Sequence, residues 1–201
     1  MDVIEYAKRQ IELECQAIEA VADRLDRSFV DTISLIRGIR GKVLVTGSGT
    51  SSFIARRMAH LLSVSGTPSL FIHPMDALHG TMGAVQSSDV LIAISKGGGS
   101  DEVNDFVLAA RRVGCKVVGV TENESGGLAR ESDVVVHLST PKDSDPGNIL
   151  AMGSTLAAAV WGDALVRTIM RLENWDLNSS LDLHPAGAVG KMAQRRKLND
   201  E

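Results

Sequence analysis

Aromatic residues are scarce: the 201-residue chain has four Phe, two Trp and one Tyr. That leaves little to stack on bases or sugar rings. Positive charge is not in excess either, and a formal net charge of -4 disfavours nucleic acid or an anionic membrane as partner. Cys15 and Cys115 are the two cysteines, too few for a disulfide framework or a thiolate metal site. No apolar run is long enough to cross a bilayer. The N-terminus, Met1-Asp-Val-Ile-Glu-Tyr, carries acids where a secretory leader would carry lysines. The expectation is a reduced, cytoplasmic protein, large enough to bury a substantial core in one domain.

What the chain does have is a strict alternation. Ile4, Ile11, Cys15, Ile18, Val21, Ala22 and Leu25 form one stripe of a long helix, and a second short helix covers Val30 to Ile36. These helices, within residues 1–40, pack on the core or form an oligomer contact. From Lys42 the pattern becomes strand-like runs separated by helices. The runs begin at Val43, Ser69, Val90, Lys116 and Val134. Pro74 opens a helical turn carrying Asp76 and His79. The helix from Asp101 to Val113 is closed by Gly114. Ser139 to Asn148 reads as a loop, Ile149 to Leu172 as a long apolar helix, and residues 193–201 as a frayed tail. Five such runs predict an α/β fold: a three-layer αβα, doubly wound, five-stranded parallel sheet of flavodoxin-like type.

Two glycine-serine bends lie at carboxyl ends of strands, where ligands of such sheets sit. Val90-Leu-Ile-Ala-Ile-Ser-Lys-Gly-Gly-Gly-Ser-Asp-Glu describes a buried strand, a glycine turn and a helix N-capped by Ser100. Glycines let backbone N–H groups approach an anion, so Ser95 to Ser100, with Lys96, Gly97 and Gly98, reads as a phosphate cradle. An ordinary βα turn is the alternative. The first bend, Gly47-Ser-Gly-Thr-Ser-Ser, has Ser52 where a dinucleotide fingerprint needs its third glycine, and it lacks the Gly-Lys-Ser/Thr of a P-loop. NAD and ATP are therefore not expected as cofactors. The hydroxyls of Thr50 and Ser51 suit a phosphate or sugar hydroxyl, or simply cap a helix. His79 and His184 are lone histidines among small residues, with no further ligands at zinc spacing. Glu102, in a first helical turn, stabilises the helix dipole on its own account.

Taken together the pieces resemble the sugar isomerase (SIS) domain of the arabinose-5-phosphate isomerase family. The stretches are Gly47-Ser-Gly-Thr-Ser, His73-Pro-Met-Asp-Ala-Leu-His-Gly, Ile94-Ser-Lys-Gly-Gly-Gly-Ser-Asp-Glu, Val120-Thr-Glu-Asn and Leu183-His-Pro-Ala-Gly-Ala-Val-Gly. The domain then covers residues 41–192. The resemblance implies conversion of an aldose phosphate into its ketose through a cis-enediol, without metal or organic cofactor. It places the catalytic roles on Glu102, His79 and His184, and the phosphate and sugar contacts on Gly49, Thr50, Ser51, Ser95, Lys96, Gly97, Gly98 and Ser100. It further implies a homo-oligomer, dimer or tetramer, with sites between subunits.

Two departures from the family pattern stand out. Thr50 occupies a position where these isomerases typically carry lysine, so Lys96 is expected to supply the compensating charge. The chain also stops soon after Lys191, where long members continue into paired CBS modules, so the expectation is a short-form enzyme or a related one with another substrate. A phosphosugar sensor without turnover, or an aminosugar-phosphate enzyme, is the alternative on the same fold.

Overall fold

The computed structural model describes residues 2–192, so the expected frayed tail lies outside the described residues. Two helices, α1 (Val3–Asp23) and α2 (Arg27–Gly38), precede β1 (Val43–Gly47), α3 (Thr50–Val64), β2 (Ser69–Phe71) and α4 (Pro74–Leu78). Then follow β3 (Val90–Ile94), α5 (Asp101–Val113), β4 (Lys116–Thr121), α6 (Gly127–Arg130), β5 (Val134–His137), α7 (Gly153–Leu172) and α8 (Leu177–Asp182). The five strands pair in parallel in the order β2-β1-β3-β4-β5. Strand order therefore reverses between β1 and β3, and the register sets Gly47 opposite Ile94 at that switch point.

The strands are uniform apolar runs because both faces are covered. Val43, Val45, Ile92 and Val118 join Met58, Leu62, Trp161 and Leu165 in one core beneath α3 and α7. On the other face Leu44, Leu91, Ala93 and Val117 pack with Val103, Phe106 and Leu128. Neighbouring strand residues thus point into different cores, and five buried positions in a row in β1 and in β3 leave no polar side. The amino-terminal edge is fastened by Asp89, whose carboxylate accepts from Lys42 N (2.9 Å), Lys42 Nζ (2.8 Å) and Gln86 N (2.9 Å).

The α1 stripe divides in two. Ala17 and Val21 are buried, whereas Val3, Ile4 and Ile11 are 77, 66 and 61 % exposed. In α2, Ile33 and Ile36 join the core under α3 and α7. The long apolar helix begins four residues later than the sequence pattern predicts. Ile149 and Leu150 are exposed, and Asp145 Oδ1 accepts from Met152 N (2.7 Å) and Ser154 N (3.0 Å), which fixes the start of α7. Those two side chains mimic the helix period but lie outside both core clusters.

Candidate active site

Gly47 ends β1 with no room for a side chain: a Cβ there would stand 3.0 Å from Ser51 O and 3.1 Å from Ile94 O. The chain turns through Gly49 at φ 54° into α3, whose first position has no side-chain cap. Ser52 Oγ donates to Gly49 O (2.7 Å), while the Thr50 and Ser51 hydroxyls make no hydrogen bond among the described residues. Of the first-turn N–H groups of α3, that of Ser52 donates to Gly49 O (3.0 Å), while those of Thr50 and Ser51 have no partner inside the helix, as at any helix start.

The second bend follows β3 and is built to turn its carbonyls away from that opening. Ser95 O accepts from Gly98 N (3.1 Å), and Lys96 O accepts from Glu122 N and Thr121 Oγ1 (both 2.9 Å). Gly97 O accepts from Asn123 Nδ2, and Gly98 O from Leu128 N and Asn104 Nδ2 (3.2 Å each). With the carbonyls engaged behind and Gly98 N–H spent on Ser95 O, the N–H groups of Gly97, Gly99, Ser100 and Asp101 are left to form a nest at the positive end of α5. Gly98 sits at φ 63°, a conformation that glycine tolerates without penalty. Ser100 occupies the N-cap position as expected, but its hydroxyl makes no cap bond. It faces Ser95 Oγ at 3.4 Å instead and is available to a ligand. Thr121, Asn123 and Asn104 hold this bend. The Val120-Thr-Glu-Asn stretch was visible in the sequence, but nothing local gives those side chains a scaffolding role.

Lys96 does not face the nest. Its ammonium lies 2.6 Å from Asp145 Oδ2 and 2.6 Å from Asn148 Oδ1, with Glu122 Oε2 at 3.9 Å. The expected compensating charge is therefore already neutralised by the 139–149 loop, on residues about fifty positions downstream that no local pattern connects to it. Burial opposes ionisation of Asp145 most, yet Lys96, Ser154 and the backbone N–H groups together hold its carboxyl below the usual range.

Glu102 stands on the α5 side of the bends. The Ser48 hydroxyl, then Glu102's own N–H, keep its carboxyl below the ordinary value against burial, with a smaller contribution from His73. His73 caps α4, its Nδ1 accepting from Met75 N at 3.3 Å. That contact leaves the proton of the neutral ring on Nε2. Ser48 and His73 are site residues the sequence patterns did not single out. Their only signal was position, one in each of two segments that follow neighbouring strands.

Of the histidines, His73 acts electrostatically on Glu102, and neither of the two predicted ones does so among the described residues. His79 ends α4, exposed and without a side-chain hydrogen bond. His184 follows α8, its Nδ1 2.6 Å from Ser180 O. This carboxyl-terminal segment is seated far from the bends: the Trp175 ring lies against Gly66, just before β2, and Leu177 and Ser180 border a groove between α3 and α7. Between the carboxyl ends of β3 and β4 and the first turns of α3 and α7 lies a narrow recess of about 20 Å³, lined among others by Ser51, Lys96, Glu122, Ser154 and Thr155. Lys96 and Glu122 also border a second cavity of about 430 Å³, whose other lining residues all come from the 139–149 loop. Among the described residues no three His, Cys, Asp or Glu side chains converge as a metal site would require.

Comparison with known proteins gives this arrangement its family. The SIS domain model matches residues 35–166. The chain belongs to the SIS domain family. Over 191 residues this SIS domain is 31 % identical to the Pseudomonas aeruginosa arabinose 5-phosphate isomerase KdsD, covering 95 % of the chain and 59 % of KdsD. The Francisella tularensis protein of that name is 32 % identical over 94 % of the chain and 58 % of its own length. The SIS domain thus spans about three fifths of these curated relatives. Among solved structures, Escherichia coli CFT073 c3406 in complex with arabinose 5-phosphate superposes with a TM-score of 0.87 at 29 % identity, covering 92 % of this chain and 98 % of c3406.

Proposed function

We propose that the protein is a phosphosugar aldose–ketose isomerase, with arabinose 5-phosphate and ribulose 5-phosphate as the leading pair. The observation that carries the reading is the meeting, at the β1/β3 switch point, of two helix N-termini with unengaged hydroxyls, beside a carboxyl biased to its ionised form. The nest and the Ser51, Ser95 and Ser100 hydroxyls hold the phosphate, with Thr50 and Gly49 beside them. Anchoring one end of the sugar fixes the reacting carbons against Glu102. The Glu102 carboxylate removes the C2 proton, a cis-enediolate forms, and the proton returns at C1. His79 and His184 serve ring opening and proton transfer on O1 and O2. The reading includes a second subunit that completes the site, in a cytoplasmic dimer or tetramer. The exposed amino-terminal half of the α1 stripe supplies an apolar surface for such an assembly.

The names of the relatives and the sugar phosphate bound to c3406 support the substrate class. The test is interconversion of a panel of pentose and hexose phosphates without added cofactor, paired with Glu102→Gln. The variant should lose about 10²–10⁴-fold in turnover while still binding the sugar phosphate. Undiminished deuterium exchange at C2 in Glu102→Gln removes the base role. A second reading has one observation in its favour: with Thr50 for lysine and Lys96 neutralised, the bends present no unpaired cation to an enediolate. A sensor that binds sugar phosphates without turnover fits that electrostatics, and the same panel separates the two.

A further inference from the structure

Lys96 belongs by its backbone to the anion nest and by its side chain to another part of the molecule. Its carbonyl is fixed by Thr121 Oγ1 and Glu122 N, so the residue cannot swing without unmaking the bend. Its side chain is mostly buried and crosses to the segment joining β5 to α7. That segment is fastened at its near end by Glu122 Oε1, which accepts from Thr140 N (3.0 Å) and Thr140 Oγ1 (2.7 Å). Its far end is fastened by Asp145, 3 % exposed, which divides its oxygens: Oδ1 takes the N–H groups that open α7 and Oδ2 takes Lys96. Within the segment Asp143, Gly147 and Asn148 adopt left-handed conformations, and its regular structure is a single 3-10 turn at Pro146–Asn148. With Lys96 and Glu122, residues of the segment including Thr140, Asp143, Asp145 and Asn148 line the cavity of about 430 Å³ described above.

We propose that Lys96 and Asp145 form a latch that holds the 139–152 segment in place as the wall of this cavity, next to the glycine bend that carries Lys96. Lys96 thereby positions the wall that meets the sugar and is not a ligand of the phosphate. The charge pair settles this assignment: an ammonium already bonded to a carboxylate and an amide oxygen has little left to offer an anion, whereas its loss unties the segment from the bend. The latch rests on the phosphosugar reading for its ligand but not for its existence. Discrimination between sugar phosphates of different length then depends on a contact that touches neither the reacting carbons nor the phosphate.

Lys96→Met, Lys96→Arg, Asp145→Asn and the double variant Lys96→Met/Asp145→Asn test this in the full chain. In Lys96→Met, KM for the sugar phosphate should rise about tenfold, with kcat falling less. The inhibition constant of inorganic phosphate should stay within about twofold. Arginine, which can still pair with Asp145, should recover most of the KM loss. Asp145→Asn should move KM the same way, and the double variant should be no worse than the poorer single one, as coupled partners require. Amide exchange over residues 139–152 should quicken in Lys96→Met, a readout that needs no turnover and so stands if the isomerase reading fails. Equal weakening of inorganic phosphate and sugar phosphate would make Lys96 a phosphate ligand and overturn the latch. Unchanged KM together with unchanged exchange overturns it as well. If Lys96→Met does not fold, the comparison of phosphate with sugar phosphate runs on Asp145→Asn.

Discussion

Ser100→Ala separates two roles that a serine at a helix start usually combines. An N-cap serine commonly contributes ~1 kcal/mol to stability through its hydroxyl. For a chain of this size, losing that much lowers Tm by about 2–4 °C. Here the hydroxyl caps nothing and makes only a 3.4 Å contact with Ser95 Oγ. Removing it should therefore leave Tm within about 1 °C of the parent. A hydroxyl bond to a charged ligand is worth roughly 1.5–3 kcal/mol. If Ser100 donates to a bound phosphate, its loss should weaken binding about 10- to 150-fold. Calorimetric titration with arabinose 5-phosphate and with inorganic phosphate measures one quantity, and thermal unfolding without ligand measures the other. A drop of several degrees in Tm with unchanged affinity would refute the reasoning, because the serine would then be an ordinary cap.

Three further outcomes follow from the rest of the molecule. Burial opposes ionisation of Asp89, but Lys42 and Gln86 outweigh it and hold the carboxyl below its ordinary value. Its stabilisation is complete above the unfolded value near ~3.9 and fades as pH falls through the lower folded value. Asp89→Asn should thus cost roughly 3 kcal/mol at neutral pH, and its urea midpoint should converge on that of the parent in acid. Gly66→Ala would set a Cβ 2.2 Å from Trp175 Cζ3 at φ +88°. It should displace the ring at a cost of about 1–3 kcal/mol and red-shift tryptophan emission; an unchanged spectrum would place the ring elsewhere. Burial, with Asp89 nearby, pushes the Cys115 thiol up to about 12, while Cys15 is exposed. A thiol reagent should modify one cysteine in the native protein and two after unfolding.

The parallel sheet was legible because it depends on local patterns. Runs such as Val90 to Ile94 need only be apolar and short, and Gly114 stops α5 in the left-handed conformation its position predicts. Both glycine bends were legible for the same reason, since their conformation is dictated within six residues. Contacts made across the chain were not. Lys96 advertises a positive charge, and only the folded loop reveals that Asp145 has taken it. Glu102 reads as a helix-start acid, whereas its partners Ser48 and His73 arrive from two other strands. Ile149 and Leu150 fit a helical period by accident, because hydropathy records composition and not what lies opposite. His184 owes its assigned role to the resemblance, and its contact with Ser180 O at the end of α8 is a fact of chain path that no motif encodes.

The anion nest has a consequence for the thermodynamics of recognition. Peptide N–H groups and short hydroxyls line it, the backbone of the bend is already fixed by the bonds behind it, and no long flexible side chain must be immobilised when a ligand arrives. The ordering entropy that a lysine would lose at the moment of capture is instead spent once, at folding. Such a socket grips the charged end of its guest without inspecting the rest, which leaves all chemical discrimination to the walls around it.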